Sequence, residues 1–228
     1  MTKVQSATAK KDNAFARKLV NFHQKASHSN RISILSRLIA QEVKEISDID
    51  EKTNCLDVGC GDMALAELVY AQLPSSDWQC IDVFELSDEL KKKERWKKYS
   101  TFDGQNIPFP DKQFKAALFC DVLHHADHTI DSLLNEASRV ADYVIIKDHF
   151  EYGFFSRQWL RVMDFIGNWG YGVNIPKRYF SEYYFKDLCH RHDLKIAKMK
   201  IGINLYSHLP FVKWIAKPKW QFVAVLKT

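Results

Sequence analysis

No apolar run in the 228-residue chain reaches the length of about 18 residues needed to cross a bilayer, and the N-terminal stretch MTKVQSATAKKDN is polar with no apolar segment behind it. Neither a membrane span nor a secretory leader is expected, which points to the cytoplasm. The five cysteines, Cys55, Cys60, Cys80, Cys120 and Cys189, form no CxxC pair and have no metal-ligand spacing. Most stand inside apolar runs and read as buried thiols of a reducing compartment, and no metal is assigned. Nor is there a basic block of the kind that forms a nucleic-acid tail, although the formal charge is +5. The stretch LKKKERWKK is mixed in sign and reads as a solvated helix face, so nucleic acid is not an expected partner. Internal repeats and low-complexity segments are also missing, which favours a single domain. What remains is a composition ordinary for a globular protein, 46% hydrophobic and 27% charged, in a chain long enough for a full core.

The pattern of apolar residues divides this chain. Residues 1–11 read as a flexible N-terminus and 12–228 as one domain. From 12 to 50 the spacing of Phe15, Leu19, Val20 and Phe22, then Ile32, Leu35, Leu38, Ile39 and Val43, predicts a helical preface of two helices broken near SHSN. From 53 to 149 short apolar runs alternate with amphipathic stretches: strands in NCLDVG, WQCIDVF, STFDG, FKAALFCDVL and DYVIIKDH, and helices in MALAELVYAQL, SDELKKKERWKKY and TIDSLLNEASRVA. Such alternation implies right-handed crossovers and a parallel sheet covered on both faces. Residues 150–193 form an aromatic flap with turn signals at Gly167, Gly170, Gly172 and Pro176, then a helix opening on Ser181 as N-cap. Two strands in 194–228, LKIAKMKIGINLY and WQFVAVLKT, close the sheet as an antiparallel pair.

The first strand runs into a glycine turn, CLDVGCGDMALAEL. Open α/β sheets bind ligands at the C-terminal ends of their strands, and Gly59 and Gly61 let the backbone approach one there. By itself GCGDMA also satisfies the dinucleotide form GxGxxA, with Asp82 at the distance of a ribose-binding acid. Two acids decide between the ligands. Asp57, two residues before the first glycine, would repel a pyrophosphate and welcome an ammonium group. Asp103, in FDGQNIPFPDKQF, follows the third strand, where it can accept a hydrogen bond from an adenine amino group. An ammonium, a ribose diol and an adenine without phosphate describe S-adenosylmethionine.

At these residues the sequence resembles the class I S-adenosylmethionine-dependent methyltransferases, most closely the group labelled methyltransferase type 11. The resembling pieces are LDVGCGD, IDVFE, FDGQNIPFPDKQFKAALFCDVLHHADH and LLNEASRVADYVIIKDH, spanning about residues 54–149. The resemblance implies a Rossmann-like α/β fold: a mostly parallel seven-stranded sheet, helices on both faces and an antiparallel C-terminal strand. It implies that Gly59, Cys60 and Gly61 wrap the methionyl part of the cofactor, that Asp57 holds its amino group, and that Asp82 with Val83 meets the ribose. Asp103 and Gly104 would face the adenine, Asp121 would border cofactor and acceptor, and Arg31 would serve the carboxylate. Met63 departs from the family's third glycine and is expected as the first residue inside the helix, and Lys115 departs from an acid.

Methyl transfer from a sulfonium is an in-line displacement with an activated donor, so the protein mainly aligns reactants, excludes water and removes a proton where the acceptor carries one. His124 and His125 after strand four, and His149 at strand five, are the candidate catalytic residues; packing is the competing role for each. An aromatic cap over the cleft favours an apolar or aromatic small-molecule or lipid-like acceptor. Leu209, Phe211, Trp214 and Ile215 among Lys213, Lys217 and Lys219 suggest a peripheral membrane contact, with a plain surface connection as the alternative. An RNA or protein methyltransferase, or an inactive cofactor-binding relative, stands as the alternative function.

Overall fold

The computed structural model describes residues 29–47, 52–167, 175–206 and 217–228. The first half of the helical preface, the N-terminal tail, the middle of the flap and the 207–216 stretch of the suggested membrane contact therefore lie outside the described residues.

A seven-stranded sheet in the order β3-β2-β1-β4-β5-β7-β6 organises the fold. β1 (Thr53–Val58), β2 (Ser76–Asp82), β3 (Tyr99–Thr101), β4 (Phe114–Cys120) and β5 (Ala141–His149) are all parallel. β7 (Gln221–Lys227) runs antiparallel to β5, and β6 (Lys195–Ile201) antiparallel to β7. After β1 the chain builds outward to β2 and β3, then returns to add β4 on the other flank of β1. That reversal opens a crevice at the C-terminal ends of β1 and β4, where open α/β sheets take their ligands.

Alternation along each buried strand divides the core into two layers. Leu56, Phe119, Ile146 and Ala224 pack with Leu133, Leu134 and Ala137 of α4 (Ile130–Val140) and Phe185 and Leu188 of α6 (Glu182–Arg191). Cys55, Leu118, Ile145 and Val225 face the opposite layer, made by the helix α1 over residues 29–46 and by α2 (Ala64–Gln72). Leu35, Ile39 and Val43 of α1 are buried there, the helical spacing expected of them. The edges are protected: β3 has three residues, and β6 carries Lys195, Lys198 and Lys200. Ser181 caps α6, accepting a hydrogen bond from the Tyr184 amide at 3.1 Å.

Two local expectations are corrected, and a third region is resolved into parts. The helix predicted over SDELKKKERWKKY is one α-helical turn, α3 (Asp88–Lys91), followed by a 3-10 helix (Glu94–Lys98), and neither has a buried residue. Without an apolar face to bury, a polar segment gains too little to propagate a long helix. β4 stops at Cys120, short of Leu123, because Asp121 adopts φ 58° and turns the chain into a 3-10 helix over Leu123–His125. The aromatic flap is split by role: Phe150 stacks on Phe222 with ring centroids 3.9 Å apart and joins Phe180 and Phe185 in the core, while Phe154, Phe155 and Trp159 of α5 (Phe154–Gly167) are exposed.

Candidate active site

The glycine loop leaves β1 over the end of β2, with the Gly59 and Cys60 amides both donating to Ile81 O at 2.8 and 3.2 Å. Gly59 has φ 74°, and a Cβ there would stand 2.5 Å from Val122 Cγ2, so both backbone and packing require glycine. Gly61, at φ 55°, differs: a Cβ would meet nothing within 4 Å, so this glycine borders open space. Its amide donates to Asp82 Oδ2 at 2.8 Å. Met63 is a correction. It is the N-cap of α2, outside the helix, with φ 63° and a buried side chain. The backbone conformation that suits glycine is thus retained by a residue for which it is strained by about 1–2 kcal/mol, and burial of the thioether offsets that strain.

Asp57 is buried near the end of β1, and burial, then the neighbouring Asp82 and Asp62, push its carboxyl up to about 7. Asp82, the last residue of β2, accepts from the Gly61 amide and, through Oδ1, from the Val83 amide at 2.7 Å. Val83 itself is 52% exposed, with Gly104 across from it: a Cβ on Gly104, whose φ is 81°, would come 3.2 Å from Val83 Cγ1. Asp103 accepts from the Gln105 and Asn106 amides at 2.8 and 2.7 Å, and the Asn106 bonds above all hold its carboxyl below the usual range. Carboxylates thus follow one another along the ends of β1, β2 and β3. Between them lies backbone open enough to admit a ligand at Gly61 and narrowed by an apolar side chain at Gly104. This fits a ligand with a cationic end, a diol and a flat base.

On the other flank of the loop the side chains form a second, buried cluster. Asp121 accepts from both Arg31 of α1 and Lys147 of β5. Burial alone would raise its carboxyl, but Lys147 and Arg31 hold it well below the usual range. Arg31, expected at the cofactor carboxylate, is therefore already paired with Asp121, and Lys147 is fully buried. His149 Nδ1 lies 3.3 Å from Asp121 Oδ1; burial and the nearby Lys147 lower the imidazole, favouring its neutral form. His124 is 3% exposed, with Nδ1 2.6 Å from Asp148 Oδ1 and Nε2 3.3 Å from Asp164 Oδ2. Burial opposes its charge, yet the carboxylates of Asp148 and Asp164 raise it to about 10. Asp164 comes from α5 and accepts from the Tyr179 hydroxyl at 2.5 Å. His125 lies against His124 with ring centroids 4.1 Å apart.

The sheet ends thus bring together the candidate cofactor-binding and catalytic residues in two groups: the loop with Asp57, Asp82, Val83, Asp103 and Gly104, and the cluster around Asp121 with Arg31 and the three histidines. Lys147 and Tyr179 join the cluster without being among those candidates. A lysine inside the apolar strand YVIIKDH was the signal for the first; nothing local marks the second.

Residues 31–198 match the family described as "Methyltransferase domain". The chain belongs to this methyltransferase family. With its fold it is a class I methyltransferase, and S-adenosylmethionine is its cofactor. No curated protein matches the methyltransferase sequence significantly. Among solved structures it is similar to a SAM-dependent methyltransferase from Aquifex aeolicus, with 17% identity, a TM-score of 0.54 and coverage of 82% of this chain and 87% of that one. A putative sarcosine dimethylglycine methyltransferase from Galdieria sulphuraria gives 13% identity and a TM-score of 0.61, covering 84% of each chain. The [4+2]-cyclase SpnF gives 16% identity and a TM-score of 0.58 over 85% of this chain and 81% of its own. A fold shared with a cyclase does not fix the chemistry, so the acceptor has to be argued from the methyltransferase's own site. Among the described residues no helix is long and apolar enough to cross a membrane.

Proposed function

We propose that this methyltransferase acts on an apolar or aromatic small-molecule or lipid-like biosynthetic intermediate. The observation that carries the reading is α5. It follows β5 directly, sends Asp164 inward to His124, and leaves Phe155 82% exposed, with Phe154, Trp159 and Val162 also exposed. An aromatic surface on the element that also reaches the buried cluster suits an acceptor recognised by apolar contact. The neighbour named for sarcosine and dimethylglycine, both small molecules, supports this choice over a macromolecule.

S-adenosylmethionine supplies a methyl group already activated on a sulfonium. The residues assigned to hold it are Gly59, Cys60 and Gly61 for its methionyl part, Asp57 for its ammonium, Asp82 and Val83 for its ribose, and Asp103 with Gly104 for its adenine. Arg31 and Lys147 fix Asp121 at the boundary with the acceptor, and Arg31 adds positive charge on the side assigned to the carboxylate. His149, whose Nδ1 lies 3.3 Å from Asp121 Oδ1, is assigned to take a proton from an acceptor that carries one. Five unpaired thiols agree with a reducing, cytoplasmic setting.

The test is production of S-adenosylhomocysteine against three acceptor panels: lipophilic phenols and lipids, RNA, and protein. Turnover confined to the first supports the proposal, whereas turnover on RNA or protein alone overturns it. In parallel, Asp82→Ala should weaken cofactor binding by tenfold or more; unchanged affinity would remove Asp82 from the ribose.

A further inference from the structure

We propose that His124, His125 and Asp164 bind one divalent transition-metal ion of the borderline class represented by zinc. One ligand atom from each of the three residues lies within 4.8 Å of the other two. Bonds of about 2.1 Å in tetrahedral geometry place neighbouring ligand atoms about 3.4 Å apart. His124 Nε2 and Asp164 Oδ2 are 3.3 Å apart.

One polar atom of the three residues is left without a hydrogen bond. His124 Nε2 is buried and has no hydrogen-bond partner among the described residues, although a carboxylate oxygen stands in front of it. A buried nitrogen left in this way costs about 1–3 kcal/mol, and an ion shared with Asp164 would satisfy it, displacing any proton held there. The opposite nitrogen, Nδ1, is held by Asp148 Oδ1 at 2.6 Å. A carboxylate on the far side of a ligating imidazole fixes its tautomer and aims its free lone pair at the metal. Asp164 Oδ2, the oxygen facing His124 Nε2, also accepts from the Tyr179 hydroxyl at 2.5 Å, which fixes the carboxylate in place and leaves a second lone pair on that oxygen.

A rival triad, His124, Asp148 and His149, also has its ligand atoms within 4.8 Å. There, however, Asp148 Oδ1 already accepts from the His149 amide at 2.7 Å and faces His124 Nδ1, and all three residues are buried. His125 and Asp164 are partly exposed, which gives an ion a way in. Two imidazoles and one carboxylate select zinc and similar ions over calcium or magnesium, and three protein ligands leave one position for an outside oxygen. That this oxygen belongs to the acceptor rests on the function proposed above; metal binding does not.

The test uses the whole chain, stripped with a chelator and dialysed against zinc sulfate, with metal content measured by mass spectrometry. A cobalt(II) titration followed by visible absorption reports coordination. The expected result is one equivalent per chain with strong four-coordinate cobalt bands. His125→Ala and Asp164→Asn should abolish both, the circular dichroism of each remaining that of the unmodified protein. Asp148→Asn keeps all three ligands and should weaken affinity about 10- to 100-fold, while His190→Ala, on α6, should change nothing. Substoichiometric binding by the unmodified protein, or binding unaltered in His125→Ala and Asp164→Asn, overturns the proposal. S-adenosylmethionine affinity measured on the same samples separates failure of the metal site from failure of the methyltransferase reading.

Discussion

Asp57→Asn tests whether the protein keeps a destabilising charge in order to hold its cofactor. In the folded chain the Asp57 carboxyl is raised from 3.8 to about 7, first by burial and then by Asp82 and Asp62. A tenfold change in an acid's ionisation equilibrium is worth about 1.4 kcal/mol, so ionised Asp57 lowers stability by as much as about 4 kcal/mol. The sign follows from the direction in which the carboxyl is pushed. The folded value lies above the unfolded one, so the penalty is absent below about pH 4, grows as pH rises towards 7 and is complete above it. Asparagine has nearly the same shape and cannot ionise. The stability difference between Asp57→Asn and the unmodified protein should therefore be larger at pH 8 than at pH 4.5 by a few kcal/mol, in favour of the variant. Because the other acids titrate in both proteins, this double difference isolates residue 57. Urea unfolding at the two pH values measures it. Addition of S-adenosylmethionine at pH 8 should then reverse the order, since only the carboxylate attracts the ligand's ammonium. A double difference below about 0.5 kcal/mol, within the usual error of additivity, refutes the assignment of a strained buried charge. An unchanged cofactor affinity refutes its purpose.

Gly59→Ala should destabilise the fold by about 3 kcal/mol or more and abolish cofactor binding, because the new Cβ stands 2.5 Å from Val122 Cγ2 at a φ of 74°; adding Val122→Ala should recover only the steric part, as thermal unfolding will show. Met63→Gly should also destabilise, by about 1–3 kcal/mol: relief of about 1–2 kcal/mol of left-handed strain is outweighed by the about 2–5 kcal/mol lost with a buried methionine side chain. A Met63→Gly variant more stable than the parent would show that the side chain does not hold the loop. Lys147→Met should cost about 3–5 kcal/mol by leaving Asp121 undercompensated, and Lys147→Met with Asp121→Asn should cost less than the sum of the two single changes in a double-mutant cycle.

The parts of the molecule that can be read from the sequence are those where one physical cause dominates. Buried strands announce themselves as short apolar runs, and Asp57 and Asp82 stand out because a carboxylate at the end of such a run is costly without a function. The stretch 87–99 misleads because a helical pattern of charges says nothing about a surface to pack on, and among its residues Trp96, edge-on to Tyr99 at 5.5 Å, is one of few with an apolar partner. The left-handed cap at Met63 is invisible for another reason: its strain is offset by burial, which depends on α1 and α2 lying together. In the candidate site the histidines are legible as strand-end residues, but their partners are not. Asp164 reaches His124 from the last turn of α5 and Tyr179 reaches Asp164 from the segment beyond it, and no local pattern ties either of them to a strand end.

The two roles proposed for α5, holding Asp164 at His124 and facing the acceptor, constrain how this enzyme can diverge. Arg157 donates to the two Glu151 oxygens at 2.8 and 2.6 Å near the start of the helix, and Glu151 also accepts from the Tyr179 amide at 3.1 Å. With that end clamped, a single inserted residue would rotate everything after it by about 100° and swing Asp164 away from His124. Exchanging Phe155, Trp159 or Val162 leaves the register untouched. Descendants with new acceptors should therefore differ in the outward side chains of α5 while keeping the number of residues between Glu151 and Asp164.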